Sequence, residues 1–172
     1  MNKVILLLII FVQLIVAKSS LVTGYGVSDY DVPIINYGNV FSHNFFVGIN
    51  NYYEVNQTDE IVISGIFSTN RRHSVSFLNE LELQLSFKKY ITDSNAISVG
   101  FHVAHLLSEN VPEVDLLGTG FGIHLDYTLS LSNNIDFTFQ AHSTSYGVLA
   151  STYAYDRFSN QTIRSFISFS PN

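Results

Sequence analysis

The sequence of 172 residues predicts an all-β protein: an eight-stranded antiparallel up-and-down transmembrane β-barrel that follows a cleaved signal peptide. Charged residues make up only 13% of the chain, whereas soluble domains usually carry about 25%. The chain has only one long apolar run, at its N-terminus, and the rest alternates between apolar and polar residues. Because no later segment suits a membrane helix, a closed barrel is the remaining way to embed this chain, since its strands satisfy each other's backbone groups.

The N-terminal run "VILLLIIFVQLIVA" (Val4–Ala17) follows a short segment that contains Lys3. Its length is that of the hydrophobic region of a secretory signal peptide and is short for a membrane span. Residues 1–17 are therefore predicted to be a signal peptide and residues 18–172 an outer-membrane β-barrel domain, which places the protein in a bacterial outer membrane. A retained N-terminal anchor helix is the alternative.

The mature part repeats a period of two in segment after segment, as a strand does when one face meets lipid. In "HSVSFLNELELQLSFKKY" one face is apolar and the other polar, with a fault at Asn79. The apolar face has Leu81, Leu83, Leu85 and Phe87, and the polar face has Glu80, Glu82, Gln84, Ser86 and Lys88. The predicted strands are 20–28, 36–49, 60–69, 73–90, 96–107, 115–131, 135–149 and 161–170.

The connections predict which end of the barrel faces the periplasm, because such barrels have short periplasmic turns and longer external loops. "TDSN" (Thr92–Asn95) and "SNN" (Ser132–Asn134) are short and rich in turn-forming residues. "SENVPEVD" (Ser108–Asp115) and "STYAYDRFSNQ" (Ser151–Gln161) are long and would be external. "NNYYEVNQTD", after the second strand, would be a longer periplasmic connection, which fits this scheme less well.

Composition excludes several classes of function. Cysteine is absent, so disulfides, thiolate metal sites and thiol nucleophiles are excluded. The formal net charge is −6 and no basic patch appears beyond Arg71-Arg72, which argues against nucleic-acid binding. The histidines lack a metal-site spacing, so no metal and no cofactor are predicted. Eight strands enclose an interior that side chains fill, and we expect paired polar groups there. The oligomeric state is not determined by the sequence.

The stretch "FTFQAHSTSYG" (Phe137–Gly147) contains a candidate catalytic group. His142 and Thr144 share one face of a strand, and Ser143 and Ser145 share the other. Asp156 follows in the long connection. A base, a hydroxyl and an acid are the parts of a hydrolase triad. Polar-lined barrels contain the same residue types for packing alone, so His142 as an interior packing residue is the structural alternative.

Four stretches in order, "RRHSVSFLNELELQLSF", "AISVGFHVAHLLS", "LLGTGFGIHLDY" and "AHSTSYG", resemble the outer-membrane lipid A 3-O-deacylases (PagL type, acyloxyacyl hydrolase-like family). His142 and Gly147 match the family's His-x-Ser-Asn-x-Gly motif, and Asp156 stands where its acid follows. The resemblance implies an esterase that acts on lipid A, or lipopolysaccharide, in the outer leaflet. In that mechanism His142 is the base, Thr144 attacks the acyl ester and Asp156 orients the histidine.

This sequence departs from the family pattern at the nucleophile. Thr144 replaces the serine, and Ser145, an alternative nucleophile, replaces the asparagine. Because Phe137 and Phe139 mark the lipid face, unbroken alternation turns His142 inward, and outward exposure requires a β-bulge after Phe139.

Two alternatives to the esterase stand. One is a non-enzymatic eight-stranded outer-membrane barrel with a structural or adhesive role. The other is a soluble, secreted lipid-binding barrel, which predicts an apolar interior and a polar exterior. Contact between His142, Thr144 and Asp156 near the outer rim favours the esterase, whereas a His142 that points into a packed interior favours a barrel without activity.

Overall fold

A computed structural model of the chain describes residues 18–31, 39–72, 75–109, 118–147 and 157–171. The predicted signal peptide, residues 1–17, and the predicted acid Asp156 lie outside these ranges. The other predicted site residues, His142, Thr144 and Ser145, lie within them.

Eight antiparallel strands form one closed barrel in which each strand pairs with its neighbours in the chain and the first pairs with the last. The fold class and the strand count predicted from the sequence are confirmed. The strands are β1 (Lys18–Asp31), β2 (Asn39–Glu54), β3 (Asp59–Arg72), β4 (Val75–Thr92), β5 (Asn95–Glu109), β6 (Thr119–Ser132), β7 (Ile135–Gly147) and β8 (Arg157–Phe169).

The two ends of the barrel differ in their connections. The turns 55–58, 93–94 and 133–134 lie at the end where β1 begins and β8 finishes, which is the predicted periplasmic end. The strands on either side of the longer intervals 32–38, 110–118 and 148–156, and of the short interval 73–74, have their adjoining ends at the other end of the barrel. The distribution of short and long connections therefore agrees with the predicted topology.

The connection after β2 is shorter than the sequence suggested. Asn50–Glu54 continue the strand, paired with β3 as far as Glu54 opposite Glu60, and only residues 55–58 turn. Within the turn, Asn56 Oδ1 accepts a hydrogen bond from the Thr58 backbone N–H at 2.8 Å. The predicted long loop "NNYYEVNQTD" is thus wrong, because Tyr52 packs inside the barrel and keeps the strand paired.

The outer wall is predominantly apolar. Side chains that the alternation assigned to lipid are exposed, as in Leu83 at 60% and Phe101 at 70%. The polar residues between them are buried inside. The fault predicted at Asn79 coincides with a register shift between β4 and β5, close to the external end.

The interior is mostly polar, as predicted, but it also contains an apolar cluster that the sequence analysis did not identify. Val22, Phe46, Ile66 and Phe166 pack together on adjacent strands β1, β2, β3 and β8. The rings of Phe46 and Phe166 meet edge to face at 5.7 Å between centroids. These side chains fill the cross-section beside the charged groups.

The distribution of polarity decides between a membrane barrel and a soluble one. Most leucine and phenylalanine side chains face outward, whereas Glu80, Glu82, Lys88 and Arg164 are buried inside, so the alternative of a soluble lipid-binding barrel is wrong. Among the described residues no helix is long and apolar enough to cross a membrane. The apolar wall and the polar interior are those of a transmembrane barrel of the outer-membrane type, which agrees with the predicted localisation.

Candidate functional site

His142 faces the interior of the barrel. It is 5% exposed and lies opposite His124 on β6 and Thr162 on β8. Both pairings of β7 continue past Phe139 without a register shift, so the β-bulge that would turn His142 outward is absent. Because β7 alternates regularly, the ring of His142 points into the barrel.

The ring of His142 is bound by an arginine. Arg164 Nη2 lies 2.9 Å from Nδ1 and 3.0 Å from Nε2 of His142. The same guanidinium donates to Glu82, and both side chains of that ion pair are fully enclosed. Glu82 Oε2 also lies 3.9 Å from His142 Nδ1. His142, Arg164 and Glu82 form one buried group, which we call the arginine cluster.

Thr144 shares the inner face with His142, as the spacing predicted, but its hydroxyl has another partner. Thr144 Oγ1 lies 2.7 Å from His102 Nε2, and both side chains are buried. Ser145 lies on the opposite, lipid-facing side of β7. Asp156 lies outside the described residues. The structure thus places His142 and Thr144 on one face, pairs each with a different residue and separates Ser145 from both, so the triad stays a prediction.

Three histidines form a column inside the wall. The ring centroid of His102 lies 5.1 Å from that of His142 and 5.7 Å from that of His124. His124 Nε2 is 2.7 Å from the hydroxyl of Ser86. Among the described residues no set of three or more His, Cys, Asp or Glu side chains is arranged to hold a metal ion.

Sequence reasoning missed Arg164 as the centre of this interior. The available signal was its place in "TIRSF", where the inward residues Thr162, Arg164 and Phe166 alternate with the outward residues Ile163 and Ser165. An arginine on the inner face of a membrane strand needs a buried acid, and Glu82 was already predicted to face inward. Which acid it meets depends on barrel closure, because β8 and β4 are not neighbours in the sheet.

A second charged group lies inside the barrel towards its predicted periplasmic end. Lys88 Nζ lies 3.8 Å from Glu60 and 4.0 Å from Asp136. It also lies over the rings of Tyr52 and Tyr90, at 5.1 and 4.7 Å from their centroids. The ammonium is therefore surrounded by acids and aromatic faces, which compensate for its removal from water.

The lipid-facing wall carries a mostly apolar groove of about 750 Å³ that extends across β5 to β8 and reaches β1 and β2. Its floor includes Ala141, whose register partners Leu125 and Ile163 are larger, so the small side chain leaves a depression between them. His142 and Ser143 also contribute to its lining. The groove faces the region that lipid acyl chains occupy.

Comparison with known proteins identifies the fold. No protein-family model and no curated protein sequence matches the chain. The crystal structure of Neisserial surface protein A is similar over 90% of this chain and 98% of that protein, at 8% identity and a TM-score of 0.57. That of Ail, the attachment invasion locus protein of Yersinia pestis, is similar over 89% and 97%, at 14% identity and a TM-score of 0.53. These likenesses show that the chain has the fold of the eight-stranded outer-membrane barrels.

Proposed function

We propose that this protein is a non-enzymatic outer-membrane barrel with a structural or adhesive role. In this proposal the buried polar groups are a rigid core that holds the barrel closed and presents the external connections. The observation that carries it is the arginine cluster, in which Arg164 contacts the ring of His142 and pairs with Glu82 within the packed interior.

The argument against catalysis by this arrangement is geometric. A general base needs an accessible nitrogen within hydrogen-bond reach of the hydroxyl that it activates. The guanidinium of Arg164 lies against both ring nitrogens of His142, and the Thr144 hydroxyl is bound to His102. With both side chains at 5% exposure or less, a lipid ester has no path to them through the described wall.

An adhesive role is supported by the connections and by one structural neighbour. The strand ends that adjoin the longer intervals lie at the predicted external end, where connections of that length would meet other cells or molecules. Ail is an attachment invasion locus protein, and a second structure of it, with a TM-score of 0.50, holds the heparin analogue sucrose octasulfate. The formal net charge of −6 does not favour a polyanionic ligand for this chain, so we propose protein surfaces as its targets.

The second candidate is the ester hydrolase implied by the sequence resemblance, which would remove a 3-hydroxyacyl chain from lipid A. The observation that favours it is the lipid-facing groove, because it borders His142 and Ser143 and is lined by apolar side chains. In that mechanism Asp156 orients the ring of His142, which takes the proton of the Thr144 or Ser145 hydroxyl as its oxygen attacks the ester carbonyl. The ester bond then breaks, the lipid A hydroxyl leaves with that proton, and water hydrolyses the acyl-enzyme to release the 3-hydroxy fatty acid. His142 would first have to leave Arg164.

Mass spectrometry of lipid A separates the two candidates. Cells that express the wild-type chain, His142→Ala or the control His105→Ala would be compared after outer-membrane insertion is verified. His105 is a suitable control because it is an exposed histidine of β5 whose ring contacts Thr119 and lies outside the arginine cluster. We expect identical lipid A in all three strains. Loss of one 3-hydroxyacyl group with the wild type and His105→Ala, but not with His142→Ala, would establish the esterase instead.

A further inference from the structure

A ring of polar side chains surrounds the outer wall near its predicted external end. Register partners followed once round the sheet, from β1 through β8 to β2, lead from Asp29 to Ser19, ten residues nearer the periplasmic end of β1. The strands are therefore tilted, and positions of equal height differ from register partners by about one residue for each strand passed. From β2 to β7, the outward residues within about one residue of the height of Asp29 are His43, Arg71, Asn79, His105, Thr119 and Ser145.

This ring marks the level of the lipid headgroups in the outer leaflet. The next outward residues towards the periplasm are mostly apolar and exposed, among them Val27, Phe45, Leu81 and Phe121. Transmembrane barrels carry such an apolar band, and the headgroups begin where the band ends. Polar and charged side chains of the ring therefore face headgroups rather than acyl tails.

Two neighbouring members of the ring offer hydrogen-bond donors to the same headgroup. His43 of β2 and Arg71 of β3 are register partners, and both side chains are exposed. Within the described part of the chain, Arg71 makes no ion pair. Asp29 lies on β1, on the far side of His43 from Arg71. An exposed guanidinium without a counter-ion is complementary to a phosphate, which it can bind through two parallel N–H groups.

Tyr25 orients the imidazole of His43. The Tyr25 hydroxyl is hydrogen-bonded to His43 Nδ1, and the two rings stack at 5.8 Å between centroids. The ring of Tyr25 also meets Phe45 edge to face at 5.2 Å, which holds it against the wall. When the phenol donates to Nδ1, the proton of the neutral imidazole is on Nε2. His43 then presents an N–H donor on the side of its ring away from Tyr25.

We propose that His43 and Arg71, with Tyr25 as a positioning residue, bind the phosphate of an outer-leaflet lipid. Arg71 supplies the positive charge and a two-pronged contact, and His43 Nε2 supplies a further donor. The proposal names a lipid rather than free phosphate because exposed apolar side chains lie next to the pair, on the periplasmic side, where an acyl chain can pack. These side chains are Phe45, Val47 and Phe67.

The net charge of the chain does not oppose this site. Exposed charges more than about 8 Å apart are largely screened at physiological ionic strength, so one phosphate responds to the donors beside it rather than to the formal charge of −6. The site is independent of whether the barrel acts as an adhesin or as an esterase.

Native mass spectrometry of the full, detergent-solubilised barrel tests the site. The probes are dioleoyl phosphatidic acid and dioleoylglycerol, which has the same acyl chains and no phosphate. We expect phosphatidic acid to bind the wild type and Lys89→Gln equally, and to bind Arg71→Gln about tenfold or more weakly, because a charged donor to the phosphate is lost. Lys89→Gln is the matched control, since it also removes one exposed positive charge, but Lys89 is already paired with Asp59.

Three results would overturn the proposal. The first is equal affinity of the wild type for phosphatidic acid and dioleoylglycerol, and the second is wild-type affinity in Arg71→Gln. The third is displacement of phosphatidic acid by an equal concentration of inorganic phosphate, which would make the site one for free phosphate rather than for a lipid.

The roles of His43 and Tyr25 have separate readouts. His43→Gln keeps an N–H donor and should bind phosphatidic acid more tightly than His43→Leu does; equal affinities would contradict the contact from His43. Nitrogen-15 NMR of histidine-labelled barrel reports the tautomer, and we expect the Nε2–H form of His43 in the wild type and a mixture of both forms in Tyr25→Phe. The same tautomer population in both proteins would contradict the positioning role of Tyr25.

A measurement in a bilayer covers variants that bind detergent differently. Urea unfolding would be followed in phosphatidylcholine vesicles that contain either phosphatidic acid or dioleoylglycerol. A ligand that binds only the folded state stabilises it, so phosphatidic acid should stabilise Lys89→Gln more than it stabilises Arg71→Gln. The same effect of phosphatidic acid on both variants would count against the site.

Discussion

The most informative perturbation of the interior is Arg164→Met, which removes the charge and keeps an unbranched apolar side chain. The ion pair with Glu82 is fully enclosed, and the guanidinium also lies over the ring of Phe46 at 5.1 Å and binds His142. Removing one partner of a buried pair leaves an uncompensated charge and costs about 3–5 kcal/mol. We expect Arg164→Met to lower the free energy of unfolding by that amount.

The same reasoning predicts the effect of combining Arg164→Met with Glu82→Gln. If Arg164→Met destabilises the barrel because the Glu82 carboxylate is left buried without a partner, then adding Glu82→Gln should recover part of the stability, because both charges are then removed. We expect a coupling free energy of roughly 0.5–3 kcal/mol between the two changes. The matched control is Lys89→Met, which breaks the ion pair of an exposed lysine with Asp59 and should cost at most about 1 kcal/mol.

Equilibrium unfolding in urea, with the barrel inserted in phospholipid vesicles, measures these differences. The chain has no tryptophan, so far-ultraviolet circular dichroism is the suitable signal. A double variant whose loss equals the sum of the two single losses would refute the idea that the pair is coupled. An Arg164→Met variant as stable as Lys89→Met would refute the larger premise that the arginine cluster stabilises the barrel.

Two further changes test the wall of the barrel. Gly100→Ala would place a Cβ 2.6 Å from His124 Nε2, and this overpacking should lower the free energy of unfolding by about 1–3 kcal/mol. In the control Gly65→Ala the new Cβ meets nothing within 4 Å, so this variant should unfold as the wild type does in the same urea titration. Leu83→Lys puts a charge on the lipid face near the middle of β4 and should lower the free energy of unfolding in vesicles by about 2–4 kcal/mol. The control Thr58→Lys, in the predicted periplasmic turn, should have little effect on it. Equal losses for the two lysine variants would contradict the placement of the wall in the membrane.

The part of the fold that follows from neighbouring residues was predictable. Alternation along β4, β5, β6 and β7 indicated which side chains meet lipid and which face inward, and His142 was expected inward on unbroken alternation. The end of β2 was not predictable in this way. The composition of Asn50–Glu54 suggests a turn, and only the structure shows that Tyr52 packs inside the barrel and that the strand continues. Local composition cannot show such a distant contact.

The candidate site shows the same division. Spacing alone placed His142 and Thr144 on one face and Ser145 on the other, since successive side chains of a strand point to opposite sides. Spacing could not show that Arg164 contacts His142 or that His102 is hydrogen-bonded to Thr144. Residues far apart in the chain meet only through the registers of the strands.

By itself, therefore, the sequence determined the all-β class, the number of strands and the inward or outward direction of most side chains, because these depend on a period of two within single strands. Only the tertiary structure decided which buried groups are partners. Closure of the sheet brings Arg164 of β8 across the interior to Glu82 of β4, and it brings His102 of β5 to Thr144 of β7. Those contacts depend on the stagger of all eight strands, which no single segment encodes.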